Sequence, residues 1–121
     1  MKYKYPFTEA KTIKKFGVDI TLFGENNPSN NIVYEEVTVG HLEEFYDSVS
    51  TYIWFIIEGI GTFVIEDERI EVSKGDLVVV PPNKRIHYFG KMKMVLSVTP
   101  AFDPKNEHHV RDVSPDESPY K

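Results

Sequence analysis

The sequence predicts an all-β fold, a sandwich or barrel of short strands. Runs rich in β-branched and aromatic residues recur at short intervals along the middle of the chain. Each run ends on glycine, proline or a polar turn cluster. Helical periodicity is hard to find anywhere, and residues 8–16 are at most a short N-terminal helix.

The segments follow in order. Residues 18–23 (VDITLF) form a short strand, ended by Gly24 and the turn-rich stretch ENNPSNN. Residues 32–39 stop at Gly40. Residues 51–58 are dense in aromatic and β-branched side chains, and Gly59 and Gly61 mark a turn after them. Residues 62–66 and 69–72 flank Asp67-Glu68 as a tight hairpin. Ser73-Lys74-Gly75-Asp76 is a further turn. Residues 77–80 are a buried strand stopped by Pro81-Pro82, since proline cannot donate to a ladder. Residues 86–89 and 92–99 complete the set, with Gly90-Lys91 between them. The organisation is an N-terminal strand or arm over 1–30, a barrel over 31–102 and a polar tail over 103–121. The tail either frays or lies along the barrel.

Composition sets bounds on function. A chain of 121 residues fits one core. Net charge −5 argues against a polyanion-binding surface, and no helix-turn-helix segment is present, so nucleic acid is not an expected partner. Without cysteine there is no disulfide, thiolate metal site or cysteine nucleophile. The longest apolar run, residues 52–57, is too short for a helical membrane span. The N-terminal MKYKYPFTEAKTIKKFG lacks the apolar stretch of a signal peptide. The expectation is a cytoplasmic protein with no membrane contact.

Residues 40–59 read GHLEEFYDSVSTYIWFIIEG, and residues 75–83 read GDLVVVPPN. These resemble the two motifs of the cupins, G-x5-H-x-H-x3-E-x6-G and G-D-x-x-x-x-P-x-G. Residues 59–65, GIGTFVI, resemble the hairpin between them. The resemblance covers residues 32–100 and implies a small jelly-roll β-barrel of the RmlC-like kind, and a homodimer formed by sheet packing. It is strong for fold and weak for function, because one fold hosts many activities.

The glycines of the first motif are in register, but its chemistry is missing. The slots for His, His and Glu hold Tyr46, Ser48 and Tyr52. Phenol and hydroxyl must lose a proton to bind a metal well, so these are poor ligands at neutral pH. Counted from Gly75, the fourth slot falls on Ile86, with His87 one residue late. One residue of slip changes the face of a strand. Either Ile86 and Tyr88 point inward and His87 outward, or the loop at 83–85 is longer and His87 points in. The expectation is that no metal or cofactor is held at the usual position.

Alternation puts Tyr52 and Trp54 on the inner face, with Tyr46 and Ser48 beside them. Met92, Met94, Leu96 and Val98 join them from the last strand. The lumen is then either a filled core or an aromatic pocket for a flat-faced ligand. The leading reading is a pocket of Tyr46, Ser48, Tyr52, Trp54, Ile86, His87 and Tyr88 for a small polar or carbohydrate-like molecule. The alternative is a metal-independent sugar or sugar-nucleotide isomerase or epimerase, with His87 as catalytic base and a tyrosine as acid. Lys84 and Arg85 would then meet an anion at the barrel mouth. A metal-dependent dioxygenase or isomerase, with a transition metal on His87 and tail residues, is the third. His41 falls on a loop, and His108 and His109 fall in the solvated tail. Outward Ile53, Phe55 and Ile57 need cover from an N-terminal strand or a second subunit.

Overall fold

Two long bent strands frame the molecule, β5 (Thr51–Ile65) and β8 (Ile86–Thr99). They run antiparallel over nearly their whole length, from Thr51 opposite Thr99 to Ile65 opposite Ile86. The computed structural model describes residues 2–120. The other strands are β1 (Lys11–Lys15), β2 (Val18–Leu22), β3 (Asn31–Val37), β4 (Glu43–Asp47), β6 (Glu68–Ser73), β7 (Leu77–Val80) and β9 (Glu107–Asp112). Single 3-10 turns occupy Phe7–Glu9, Pro104–Asn106 and Pro115–Glu117.

The two halves of β5 and β8 belong to opposite walls. One wall carries β1, β2, β3, the C-terminal half of β8, the N-terminal half of β5, and β7. The other carries β9, β4, the N-terminal half of β8, the C-terminal half of β5, and β6. All strand pairs are antiparallel, and the result is the rolled all-β barrel that the sequence predicts.

The bend corrects one expectation. Gly59-Gly61 and Gly90-Lys91 are not turns between strands. They lie inside β5 and β8, where the register slips between Ile56 and Glu58 and the two strands turn the corner together. Gly59 has φ +101°, and a side chain there would run into the Lys91 backbone carbonyl. A corner glycine and an inter-strand turn read alike in sequence, because both need a missing Cβ. The β5–β6 hairpin is also displaced by one residue. Its turn is Glu66-Asp67, both at positive φ (49° and 68°), the backbone of a two-residue type I′ hairpin.

Residues 8–16 form no α-helix. They hold the end of a 3-10 turn and strand β1, which pairs with β2 and lengthens the wall next to β3. The tail does not fray: β9 pairs with β4 along Glu43–Asp47. Its burial pattern is mostly exposed, so backbone pairing rather than an apolar stripe holds it. Sequence patterning has nothing to detect in such a strand.

The closed end of the barrel is a packed core of Trp54, Ile56, Phe63, Tyr88, Met92 and Met94, each no more than 3% exposed. Trp54 meets Phe63 and Tyr88 edge-on, with centroids 5.3 and 5.7 Å apart, the favoured geometry for aromatic pairs. On the outer face Phe55, Ile57, Leu77 and Val79 remain exposed, and β1 does not cover them.

Candidate functional site

Above this core the barrel stays open. A cavity of about 420 Å³ lies between the walls, with Val33, Leu96 and Val98 on its apolar side. That volume accommodates a small ligand. Phe45, Tyr52, Trp54 and Tyr88 give it aromatic surface, and Lys15, Glu35, His41 and Glu107 supply charge and proton chemistry. The lumen is thus part core and part pocket.

His41 is held by the step from Gly40 to β4. Gly40 bridges to Phe89, so close to β8 that a Cβ would lie 2.8 Å from the Tyr88 carbonyl oxygen. The same close approach lets the His41 amide donate to that carbonyl at 2.7 Å. The ring, 6% exposed, sits against Phe45 and Tyr88 at 5.0 and 5.3 Å. Its Nδ1 is 2.8 Å from the Glu43 carbonyl oxygen. A carbonyl only accepts, so Nδ1 carries the proton and Nε2 keeps its lone pair. Burial pulls the imidazole pKa down to about 4, outweighing the Glu43 bond, which raises it. His41 is therefore a neutral base at physiological pH.

A polar chain runs along another side of the cavity. Lys15 Nζ donates to Glu107 Oε1 at 2.7 Å. Tyr52 donates its hydroxyl proton to Glu107 Oε2 at 2.8 Å, or to Asp47 Oδ2 at 3.2 Å. Burial, then the Glu107 charge, pushes the Tyr52 pKa far up, so the phenol stays protonated. Asp47 is itself fixed by the amides of Val49 and Ser50 at 2.8 and 2.7 Å. At the floor, Trp54 Nε1–H and the Tyr88 hydroxyl both donate to Glu35, at 2.9 and 3.0 Å.

Of the residues singled out by sequence, Tyr52, Trp54 and Tyr88 line the cavity. Tyr46, Ser48, Ile86 and His87 do not. On β4 the inward side chains are Phe45 and Asp47, at 3% and 5% exposure. Tyr46 faces the tail and stacks on His108 at 4.8 Å, while the Ser48 hydroxyl donates to the Asn106 carbonyl at 3.2 Å. The strand is offset by one residue from the motif, which moves every side chain to the other face. Ile86 packs into the core.

His87 points away from the lumen, yet it is neither exposed nor at the rim. At 4% exposure it is covered on the far face, edge-on to Phe89, which packs with Val64, Val113 and Tyr120. Among the described residues its Nδ1 has no hydrogen bond, and it stands 3.8 Å from Glu44 Oε2. Burial lowers its pKa against the pull of Glu44. Glu44 is held by Arg85 at 3.2 Å and Arg111 at 3.3 Å, and Arg111 also pairs with Glu117. Arg85 further binds Glu66 and Asp67, so it serves this cluster instead of an anion at the mouth. The isomerase reading loses its base, and the metal-enzyme reading loses its ligand.

Sequence reasoning missed His41, Glu35 and Glu107. His41 directly follows the motif glycine, and that adjacency was the available signal. Glu107 comes from the tail, whose polar composition hides strand β9.

The cupin metal slots do not make a metal site. Tyr46 and Ser48 face the tail, Tyr52 keeps its proton, and Ile86 has no donor atom. Among the described residues no group of three His, Cys, Asp or Glu gathers as a ligand set.

The rolled sheet, the corner glycines and the central cavity define the class, and residues 35–97 match the cupin domain. This chain belongs to the cupins. Among solved structures it is similar to Streptomyces PAC13 carrying a Tyr-to-Phe substitution and bound to uridine. That match has 44% identity, covers 99% of each chain and has a TM-score of 0.98. It is similar as well to Pac13 described as a unique nucleoside dehydratase, at 44% identity, covering 99% of this chain and 100% of that one, with a TM-score of 0.97. A more distant likeness is KdgF from Halomonas sp., at 14% identity over 87% of this chain and 99% of that one, with a TM-score of 0.73. That likeness concerns fold alone. Among curated protein sequences, none matches this chain.

Proposed function

We propose that this chain is a nucleoside-binding enzyme that eliminates water from its ligand's sugar, with His41 as the base. The observation that carries the reading is the neutral His41, its Nδ1 proton tied to Glu43 and its Nε2 without a hydrogen bond among the described residues, in a cavity that also holds the Lys15–Glu107–Tyr52 chain. Two further facts support it. Similar structures bind uridine, and one is described as a nucleoside dehydratase. The substituted residues in the uridine-bound structures are tyrosine and histidine, residue types that this cavity also presents.

Elimination of water needs a base for a carbon-bound proton and a donor for the departing hydroxyl. The C–H pair becomes the new C=C bond, the C–O bond breaks, and the hydroxyl leaves with a proton as water. A sugar C–H is acidic enough only beside a carbonyl, so the substrate is a nucleoside with an oxidised sugar carbon. His41 Nε2 takes the proton. Lys15 Nζ is the positioned donor, for the departing oxygen or for the negative charge gathering on the carbonyl, and Tyr52 holds Glu107 beside it. The aromatic walls hold the base of the nucleoside.

The polarity of the cavity favours an unphosphorylated ligand. Among the described residues Lys15 is the sole lysine or arginine lining it and is paired with Glu107, while Glu25 adds a carboxylate. A phosphate would add negative charge to a cavity where Glu25 and Glu107 already face a single lysine among the described residues.

The direct test incubates the protein with uridine oxidised at the sugar and follows loss of one water by mass spectrometry. Elimination should be observed, and His41→Asn should lower its rate by about 10²–10⁴-fold, the usual weight of a general base. Unchanged turnover in His41→Asn sinks the assignment.

A further inference from the structure

One buried titratable group in the cavity has no part in that chemistry. Glu35, on β3, is 3% exposed and lines the cavity floor. Both of its hydrogen bonds, from Trp54 Nε1–H at 2.9 Å and the Tyr88 hydroxyl at 3.0 Å, end on Oε1. Oε2 receives none among the described residues, and Glu35 enters no ion pair there.

An ionised carboxyl in such a place is disfavoured, because burial strips its hydration and no cation pairs with it among the described residues, and the two donated bonds and the charge of Lys15 offset this only in part. The bond pattern accommodates the neutral form. A protonated carboxyl has one carbonyl oxygen with two lone pairs and one hydroxyl oxygen with a proton to give. With both accepted bonds ending on Oε1, a neutral Glu35 carries its proton on Oε2. Burial pushes the acid up, and the two donated bonds pull less strongly the other way. The floor around it is flat and weakly polar, with Trp54, Tyr88 and Leu96. A nucleobase suits that surface, whereas sugar hydroxyls suit the Lys15–Glu107 chain.

We infer that Glu35 is a neutral hydrogen-bond donor for the ligand, its Oε2–H held by Trp54 and Tyr88 to bind a carbonyl oxygen of the base. This assignment rests on the nucleoside reading for the choice of ligand. It gives the pocket a means of selection, since a base presenting only donors at that point leaves the Oε2 proton unmatched.

Uridine titration of three proteins tests it. Glu35→Leu removes the donor and should weaken uridine at least tenfold, about the 1.4 kcal/mol of one hydrogen bond. Glu35→Gln should restore most of that loss. Its amide oxygen accepts from Trp54 and Tyr88, and its N–H replaces the acid O–H. An affinity as poor in Glu35→Gln as in Glu35→Leu overturns the inference. A second measurement needs neither ligand nor the leucine variant. The infrared spectrum of the free wild-type protein at neutral pH should contain a protonated-carboxyl band that Glu35→Gln lacks, and its absence also overturns the inference. Failure of the wild type to bind uridine, with the band present, counts instead against the nucleoside reading.

Discussion

The role proposed for His41 depends on its surroundings as much as on its ring. The Glu43 carbonyl fixes the tautomer, and burial lowers the pKa to about 4. Two consequences separate it from an exposed histidine. The acid limb of activity due to this base should lie near pH 4 instead of 6.5. The sign of the stability effect follows from linkage. A histidine with a depressed folded pKa binds its proton more readily when unfolded. The stability it contributes is fully present above pH 6.5 and is lost as pH falls toward 4, by up to about 3 kcal/mol. Urea unfolding of the wild type and His41→Asn from pH 7 to 4 checks this. The wild type should lose more stability than the variant across that window, and parallel curves count against a buried neutral imidazole. Tyr52 belongs to the same scale. Its hydroxyl bridges Glu107 and Asp47, so Tyr52→Phe should leave the fold intact and slow turnover more than it weakens uridine binding. Separate kcat and KM measurements decide that.

At the scale of strands, what was readable follows from what glycine and proline enforce. Pro81 ends β7, and Asn83 adopts φ 68° where the motif has glycine. The faces were harder. Tyr52 and Trp54 face inward as alternation requires. Tyr46 and Ser48 do not, because β4 is short, breaks register between Glu44 and Phe45, and sits one residue off the motif. No spacing in one sequence reveals such a slip, because β4 buries side chains on both faces, Glu44 on one and Phe45 and Asp47 on the other. The corner in β5 has its own test. Gly59→Ala combines φ +101° with a collision against the Lys91 carbonyl. It should cost more than about 2 kcal/mol, read from the urea midpoint at unchanged slope.

Over the whole molecule, the two ends of the barrel divide the work. Trp54, Phe63, Met92 and Met94 close one end, and β1, β2 and β9 build the rim of the other. The cupin barrel was legible in the glycine and proline spacing. The absence of a donor set in the old metal slots was also legible, as a matter of residue chemistry. The proposed site was not, because His41, Glu35 and Glu107 come from three separate segments and meet only on folding. The charge of the assembled cavity gives a prediction at this scale. Uridine should bind at least about tenfold more tightly than its monophosphate, since the phosphate meets Glu25 and an already paired Lys15. Calorimetry with both ligands at one salt concentration checks the ratio.

Where a nucleoside sits decides most directly whether His41 is the base. A crystal structure with uridine should place the sugar against His41 Nε2, with the reacting carbon about 3–3.5 Å away and the ring hydroxyls reaching Lys15 and Glu107. Uridine bound outside the cavity, or inside it with His41 out of reach of the sugar, would contradict the account.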